Sequence, residues 1–139
     1  NEYVLILNGD MPNFKSKILE KSIKKKENKL FIFSKEEPYG YGRVMIENSS
    51  IKKIIEEKDA TEEEKKIKLV NTGIYFLETN LLKEFVPKIN NKNKQKEYYL
   101  TSLFDVSKIP IYPSFISDKE EKYILGVNTK EELENLYKK

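Results

Sequence analysis

Five consecutive apolar residues, Tyr3 to Leu7 (YVLIL), end abruptly in Asn8-Gly9-Asp10. An unbroken apolar run of this kind is the mark of a strand covered on both faces, as in the parallel sheets of α/β domains. A strand that terminates in a glycine and a carboxylate places that carboxylate at its C-terminal edge. Ligands of open α/β sheets bind along that edge. Asp10 is therefore the first candidate functional residue.

The rest of the chain alternates strand and helix patterns, so the class is α/β. A helix is expected from about Phe14 to Lys26, with Phe14, Ile18, Leu19 and Ile23 facing inward. Lys29 to Ser34 (KLFIFS) reads as a strand, and Val44–Glu47 with Ile51–Glu56 as a hairpin around Asn-Ser-Ser. Thr61 and Glu64 have capping-box spacing, as do Thr129 and Glu132 ahead of a last helix with Leu133, Leu136 and Tyr137 inside. The strand KLVNTGIYFL is interrupted at Asn71-Thr72-Gly73, and a glycine within a strand marks a bulge or a close backbone approach. Leu81 to Phe85 is a short helix stopped by Pro87, and EYYLTSLFDVS begins another. IPIYPSFI can only be an edge strand, because its prolines lack ladder donors.

Composition narrows the chemistry. The chain has 139 residues, enough for one domain or one piece of a domain. It contains no cysteine and no histidine, which removes disulfides, Cys/His zinc sites, thiol nucleophiles and imidazole bases. Charged residues make up 35% of the chain, yet the net charge is only +3 because Lys and Glu are interspersed. A nucleic-acid partner would want a one-sided basic face, so none is expected. No apolar run approaches the ~20 residues of a membrane span, and no leader pattern is visible. A cytoplasmic protein that engages no membrane is the expectation.

Between two of the strands lies EEPYGYGRVMIE, Glu36 to Glu47, which concentrates turn and recognition residues. Arg43 is the only arginine of the chain. Its planar guanidinium grips carboxylate or phosphate in a two-pronged way that lysine cannot copy. Two roles are open to it: an ion pair with Glu47 or Glu56 that pins the loop, or direct contact with a ligand.

Three stretches, YVLILNGDMP, PYGYGRV…IIEEKDATEEEKKI…VNTGIYFL and KEYYLTSL…GVNTKEEL, share an ordered resemblance. Together they resemble the uridylyltransferase domain of bacterial UDP-N-acetylglucosamine pyrophosphorylase, in many bacteria fused to a glucosamine-1-phosphate acetyltransferase. The resemblance implies a Rossmann-like nucleotidyltransferase fold, with a mixed, mainly parallel sheet and helices on both faces. It implies uridylyl transfer from UTP to N-acetylglucosamine-1-phosphate, giving UDP-N-acetylglucosamine and pyrophosphate. Asp10 and Asn128 match the family's Mg²⁺ ligands. Gly42, Glu56 and Asn71 match positions that hold the amino sugar, and Tyr99 and Thr101 match the wall beside it. Arg43 belongs with this substrate-binding set through the same loop. No residue is required as a covalent or acid–base catalyst, since a phosphate monoester is already a nucleophile. Each position also has an ordinary reading: Asp10 and Asn128 as helix caps, Glu56 as a solvated carboxylate, Asn71 as the filler of a bulge, Tyr99 as core. The chain departs from the family at Tyr39, usually threonine, at Lys96, usually glycine, and at Ser102, usually aspartate.

Residues 1–139 are thus expected to be part of a sugar-nucleotidyltransferase domain, its sugar- and metal-binding half. The family's opening strand and glycine-rich phosphate loop have no counterpart here, so the fold is expected to be incomplete at the N-terminus. The alternative is a non-catalytic sugar-nucleotide-binding remnant or split subunit that needs a partner chain. An apolar strand edge at Tyr3 to Leu7 would then aggregate, form a homo-oligomer, or pair with the missing half. A metal-dependent glycosyltransferase fits less well, because Asp10 stands alone without an Asp-x-Asp motif.

Overall fold

The computed structural model describes residues 1–138. Among them, one mixed sheet is built from β1 (Tyr3–Ile6), β2 (Lys29–Ser34), β3 (Arg43–Glu47), β4 (Ser50–Ile55), β5 (Leu69–Glu78) and β6 (Tyr112–Phe115). The order is β4-β3-β5-β2-β6, with β1 paired to β5. The helices are α1 (Lys17–Ile23), α2 (Thr79–Phe85), α3 (Leu103–Val106) and α4 (Lys130–Tyr137). None is long and apolar enough to cross a membrane.

β2 and β5 are the centre because both faces of each are covered. Leu30 and Ile32 of β2, with Tyr75 and Leu77 of β5, join Leu81 and Phe85 of α2 and Leu103 and Phe104 of α3 in one core. The alternate residues, Phe31, Phe33, Val70, Ile74 and Phe76, pack on the opposite face with Leu19 of α1 and with Met11, Ile116 and Ile124. This is the period-two alternation of a strand placed between two helical layers. Each fully buried side chain of this size is worth about 1.5–3 kcal/mol.

The α/β class and the helices on both faces hold, but the balance of pairing does not. β1–β5, β2–β5, β3–β4 and β3–β5 are antiparallel, and only β2–β6 is parallel. The expectation of a mainly parallel sheet is corrected accordingly. The apolar run at Tyr3 to Leu7 had pointed the same way as the resemblance, but that run is not buried on both faces. Val4, Leu5 and Leu7 are 38–39% exposed. Among the described residues β1 has a partner only along the second half of β5, which leaves its other edge open.

Two helices also differ from expectation. α1 is confined to Lys17–Ile23 and stops before the Lys24-Lys25-Lys26 run. α4 carries the capping box of Thr129 and Glu132, yet it buries nothing fully. Leu133 and Leu136 are only half-buried and Tyr137 is exposed, so the inward face expected there is not realised. The hairpin does form: Asn48 and Ser49 both take positive φ, the mirror-image turn that suits the twist of a two-residue connection. β6 lies at the end of the sheet, where Pro113 costs no ladder bond to a further strand.

The sheet positions the site through one detail of pairing. β1 and β3 share the same edge of β5. Ile6 of β1 lies opposite Tyr75, and Arg43 of β3 lies opposite Val70. The segment from Asn71 to Ile74 is left between them. The end of β1 and the start of β3 therefore face each other across a gap in the edge of β5.

Candidate functional site

A cleft of about 300 Å³ opens at that gap. Asn8 and Asp10 line it from the turn after β1, Tyr39 to Gly42 from the loop before β3, and Asn71 to Gly73 from β5. Gly126 and Asn128 close it from the segment before α4. Four stretches far apart in sequence thus converge on one place.

The Asn-Thr-Gly interruption builds the floor. The register between β2 and β5 shifts here, so the segment bulges. Gly73 has φ +77, a conformation that disfavours any side chain. A Cβ on it would come within 2.3 Å of Asn8 Nδ2. Both meanings of a strand glycine, bulge and close approach, apply at once. Asn71 Oδ1 accepts the Gly73 N–H at 2.8 Å, and the Asn71 N–H donates to the Gly42 carbonyl at 2.9 Å. Gly73→Ala is therefore expected to lower stability by about 1–3 kcal/mol, the usual cost of a side chain held at positive φ. Urea denaturation would measure it, and displacement of Asn8 would show as altered amide resonances along the cleft.

Gly42 is hemmed in. A Cβ there would stand 3.0 Å from Ile54 Cγ2 and 3.5 Å from Glu56 Oε2. Glu56 in turn accepts the Thr101 hydroxyl at 2.6 Å. Gly42, Glu56, Asn71 and Thr101 therefore form one linked group. Nearby, burial pushes the Tyr75 phenol well above its ordinary range, so it stays a neutral hydroxyl beside Asn71.

Tyr99 is placed differently. Its hydroxyl donates to Gln95 Oε1 at 2.6 Å, and its ring lines a second pocket of about 350 Å³ with Ile54, Asp59 and Thr101. Tyr99 does not line the cleft that holds Asp10 and Asn128. Thr101 also lines this second pocket and not the cleft, and Glu56 lines neither. The Thr101–Glu56 bond reaches the cleft only through the packing of Glu56 against Gly42.

Arg43 is buried, with its side chain only 2% exposed. Nη1 forms an ion pair with Glu57 at 2.6 Å and also reaches the Tyr41 carbonyl. Nε and Nη2 donate to the Lys65 carbonyl at 3.3 and 3.2 Å. Glu57 Oε2 is buried with no hydrogen-bond partner beyond this ion pair. The partner is Glu57, not the Glu47 or Glu56 that spacing suggested, because β4 ends at Ile55 and the chain turns there to direct Glu57 inward. The guanidinium is occupied by protein groups, and Arg43 stands behind the loop rather than on the cleft wall.

Asp10 and Asn128 share the cleft and both are exposed. The Val127 N–H donates to the Asp10 carbonyl at 2.9 Å, tying the two segments together. A Cβ on Gly126 would come within 3.1 Å of Asp10 Oδ2, so a side chain there would push the Asp10 carboxylate aside by a few tenths of an ångström. The cap of α4 is Thr129, while the Asn128 N–H bonds Glu132 Oε2 at 2.6 Å. The Asn128 carboxamide is therefore left outside the helix cap. One carboxylate and one carboxamide oxygen are hard donors of the kind magnesium takes, with phosphate and water completing its shell. Among the described residues no group of three or more acidic, His or Cys side chains could hold a metal without such help.

Sequence reasoning missed Asn8, Glu57 and Gly126. Asn8 is signalled only by its neighbour across the sheet, Gly73. Glu57 hides in a pair of glutamates, of which only burial picks out the second.

The fold is shared with solved structures of sugar-nucleotide pyrophosphorylases. The nucleoside-diphosphate-sugar pyrophosphorylase of Vibrio cholerae superposes with a TM-score of 0.66 at 14% identity, covering 99% of this chain and 56% of that one. UDP-glucose pyrophosphorylase in complex with UDP-glucose superposes with a TM-score of 0.62 at 19% identity, covering 99% and 57%. No family model matches the chain. Among curated proteins, the bifunctional protein GlmU of Nitratiruptor sp. is 43% identical over 139 residues, 97% of this chain and 32% of its own length. GlmU of Helicobacter pylori is 43% identical over 95% of this chain and 30% of its own, and that of Aliarcobacter butzleri 44% identical over 95% and 31%. Over nearly its whole length the chain is similar, at 43–44% identity, to one segment of these GlmU proteins. It spans about a third of the length of the curated relatives it matches.

Proposed function

We propose that the cleft binds a sugar-1-phosphate and its nucleotide product, as the sugar half of a uridylyltransferase that converts UTP and N-acetylglucosamine-1-phosphate to UDP-N-acetylglucosamine and pyrophosphate. The observation that carries this reading is the convergence of Gly42 and Asn71 with Asp10 and Asn128 on one cleft, with Glu56 packed behind Gly42 and held by Thr101. The Glu56 carboxylate accepts from sugar hydroxyls, and the Asn71 carboxamide both donates and accepts. Gly42, free of a side chain, lets backbone approach the ring.

Asp10 and Asn128 would hold Mg²⁺. When bound, it would supply charge neutralisation of the phosphates and act as a template for them. The remaining work of the chain is positioning. The tie between Val127 and Asp10 fixes the two ligands relative to each other. The linked group around Glu56 orients the sugar so that a phosphate oxygen of the sugar-1-phosphate approaches the α-phosphorus of UTP in line, with pyrophosphate as the leaving group. Phosphoryl transfer depends almost wholly on such positioning and on charge stabilisation, and it needs no histidine or cysteine.

The test is pyrophosphate release by the protein as its native source produces it, with UTP and either N-acetylglucosamine-1-phosphate or glucose-1-phosphate. Turnover of the amino-sugar phosphate, at least tenfold above the glucose compound, is expected. Binding of UDP-N-acetylglucosamine without any turnover would leave only the non-catalytic reading.

A further inference from the structure

We propose that Tyr39 is a specificity-determining residue whose ring covers the apolar face of the sugar bound in the cleft; this rests on the proposed function. The loop carries two tyrosines with opposite fates. Tyr41 is half-buried and meets Phe33 edge-on, with ring centroids 5.6 Å apart. Tyr39 lines the cleft and is 84% exposed. It is the most exposed of the large apolar side chains in the described residues.

The exposure is not that of a floppy segment. Gly40 takes φ +82, and the Tyr41 N–H donates to the Pro38 carbonyl at 3.1 Å. That is a type II turn, with glycine where positive φ is required and Tyr39 in the position before it. Behind the turn, the Tyr41 ring is seated on Phe33, and the buried Arg43 holds the Tyr41 carbonyl. The turn is therefore anchored on its C-terminal side and presents Tyr39 at the cleft mouth, with no ring of the described residues stacked on it.

An aromatic ring left open to water beside a polar cleft is suited to a ligand with an apolar face and a polar rim. A pyranose has both. Its axial C–H groups form an apolar face, while its hydroxyls reach outward, here towards Asn71. The ring of Tyr39 supplies apolar area with few torsions to freeze and a hydroxyl that remains wet. The uracil of the nucleotide is the competing stack, and the outcomes below separate the two.

The experiment is calorimetric titration of UDP-N-acetylglucosamine and of UDP, with Mg²⁺, into the unaltered protein and into Tyr39→Phe, Tyr39→Ala and Asn71→Ala. Tyr39→Phe should stay within twofold of the unaltered protein for both ligands. Tyr39→Ala should weaken the sugar nucleotide by about tenfold, the scale of one lost aromatic contact, and leave UDP unchanged. Equal affinity of Tyr39→Ala and the unaltered protein, with Asn71→Ala impaired, would overturn the role of Tyr39 alone. Equal loss for UDP and the sugar nucleotide would also overturn it, in favour of a stack on the base. Failure of the unaltered protein to bind the sugar nucleotide would overturn both this inference and the proposed function.

Discussion

Replacing Arg43 with alanine should remove about 3–5 kcal/mol of stability, the usual consequence of leaving one member of a buried ion pair alone. Glu57 would be stranded, since Oε2 has no hydrogen-bond partner to fall back on. A domain of this size is stable by only about 5–15 kcal/mol, so the variant should unfold at much lower urea. Arg43→Lys should recover little. An ammonium can meet Glu57 or the Lys65 carbonyl, but it cannot span both with the Tyr41 carbonyl as the guanidinium does. The double variant Arg43→Met with Glu57→Gln should lose less than the two single changes added together, because neither charge is then left unpaired. Additive losses would show that Arg43 and Glu57 do not act as a pair.

Asp10→Ala should behave in the opposite way. The side chain is exposed, and the bond from Val127 is to the backbone carbonyl, which alanine retains. Stability should change by no more than about 0.5 kcal/mol, as for other surface substitutions. The gain in UDP-N-acetylglucosamine affinity on adding Mg²⁺ should vanish, which calorimetry with and without the ion would show. An undiminished gain would remove Asp10 from the proposed metal site. These two variants separate the loop pin, which acts through folding, from the cleft carboxylate, which acts only through ligand.

Much of this was legible in the residues. The Asn-Thr-Gly interruption announced a bulge or a close approach, because glycine at positive φ has few other uses inside a strand. The capping box at Thr129 forms as spaced, with Glu132 N–H to Thr129 Oγ1 at 3.1 Å. At Thr61 the same local bonds form, with Thr61 N–H to Glu64 Oε2 at 2.7 Å, but they lead only into a three-residue 3-10 turn, Glu64–Lys66, with Glu63 at its N-cap. The burial of β1 was not legible. YVLIL has the pattern of a covered strand, but coverage depends on which neighbours the chain supplies, and pattern alone cannot count them. The partner of Arg43 was missed for a related reason. Spacing along a hairpin favours cross-strand residues, whereas Glu57 lies just beyond the strand, where the chain turns. The convergence of Asp10, Gly42, Asn71 and Asn128 could be inferred only through the family resemblance, because strand pairing brings together residues that no local signal connects.

The most direct test of the sugar-nucleotide cleft is to follow backbone amide resonances of the chain as UDP-N-acetylglucosamine is added, first without and then with Mg²⁺. The cleft described here predicts shifts at Gly42, Asn71, Gly73 and Thr101 on adding ligand, with further shifts at Asp10 and Asn128 only when the ion is present. Shifts confined to the separate pocket beside Ser50 and Lys108, or none at millimolar ligand, would contradict it.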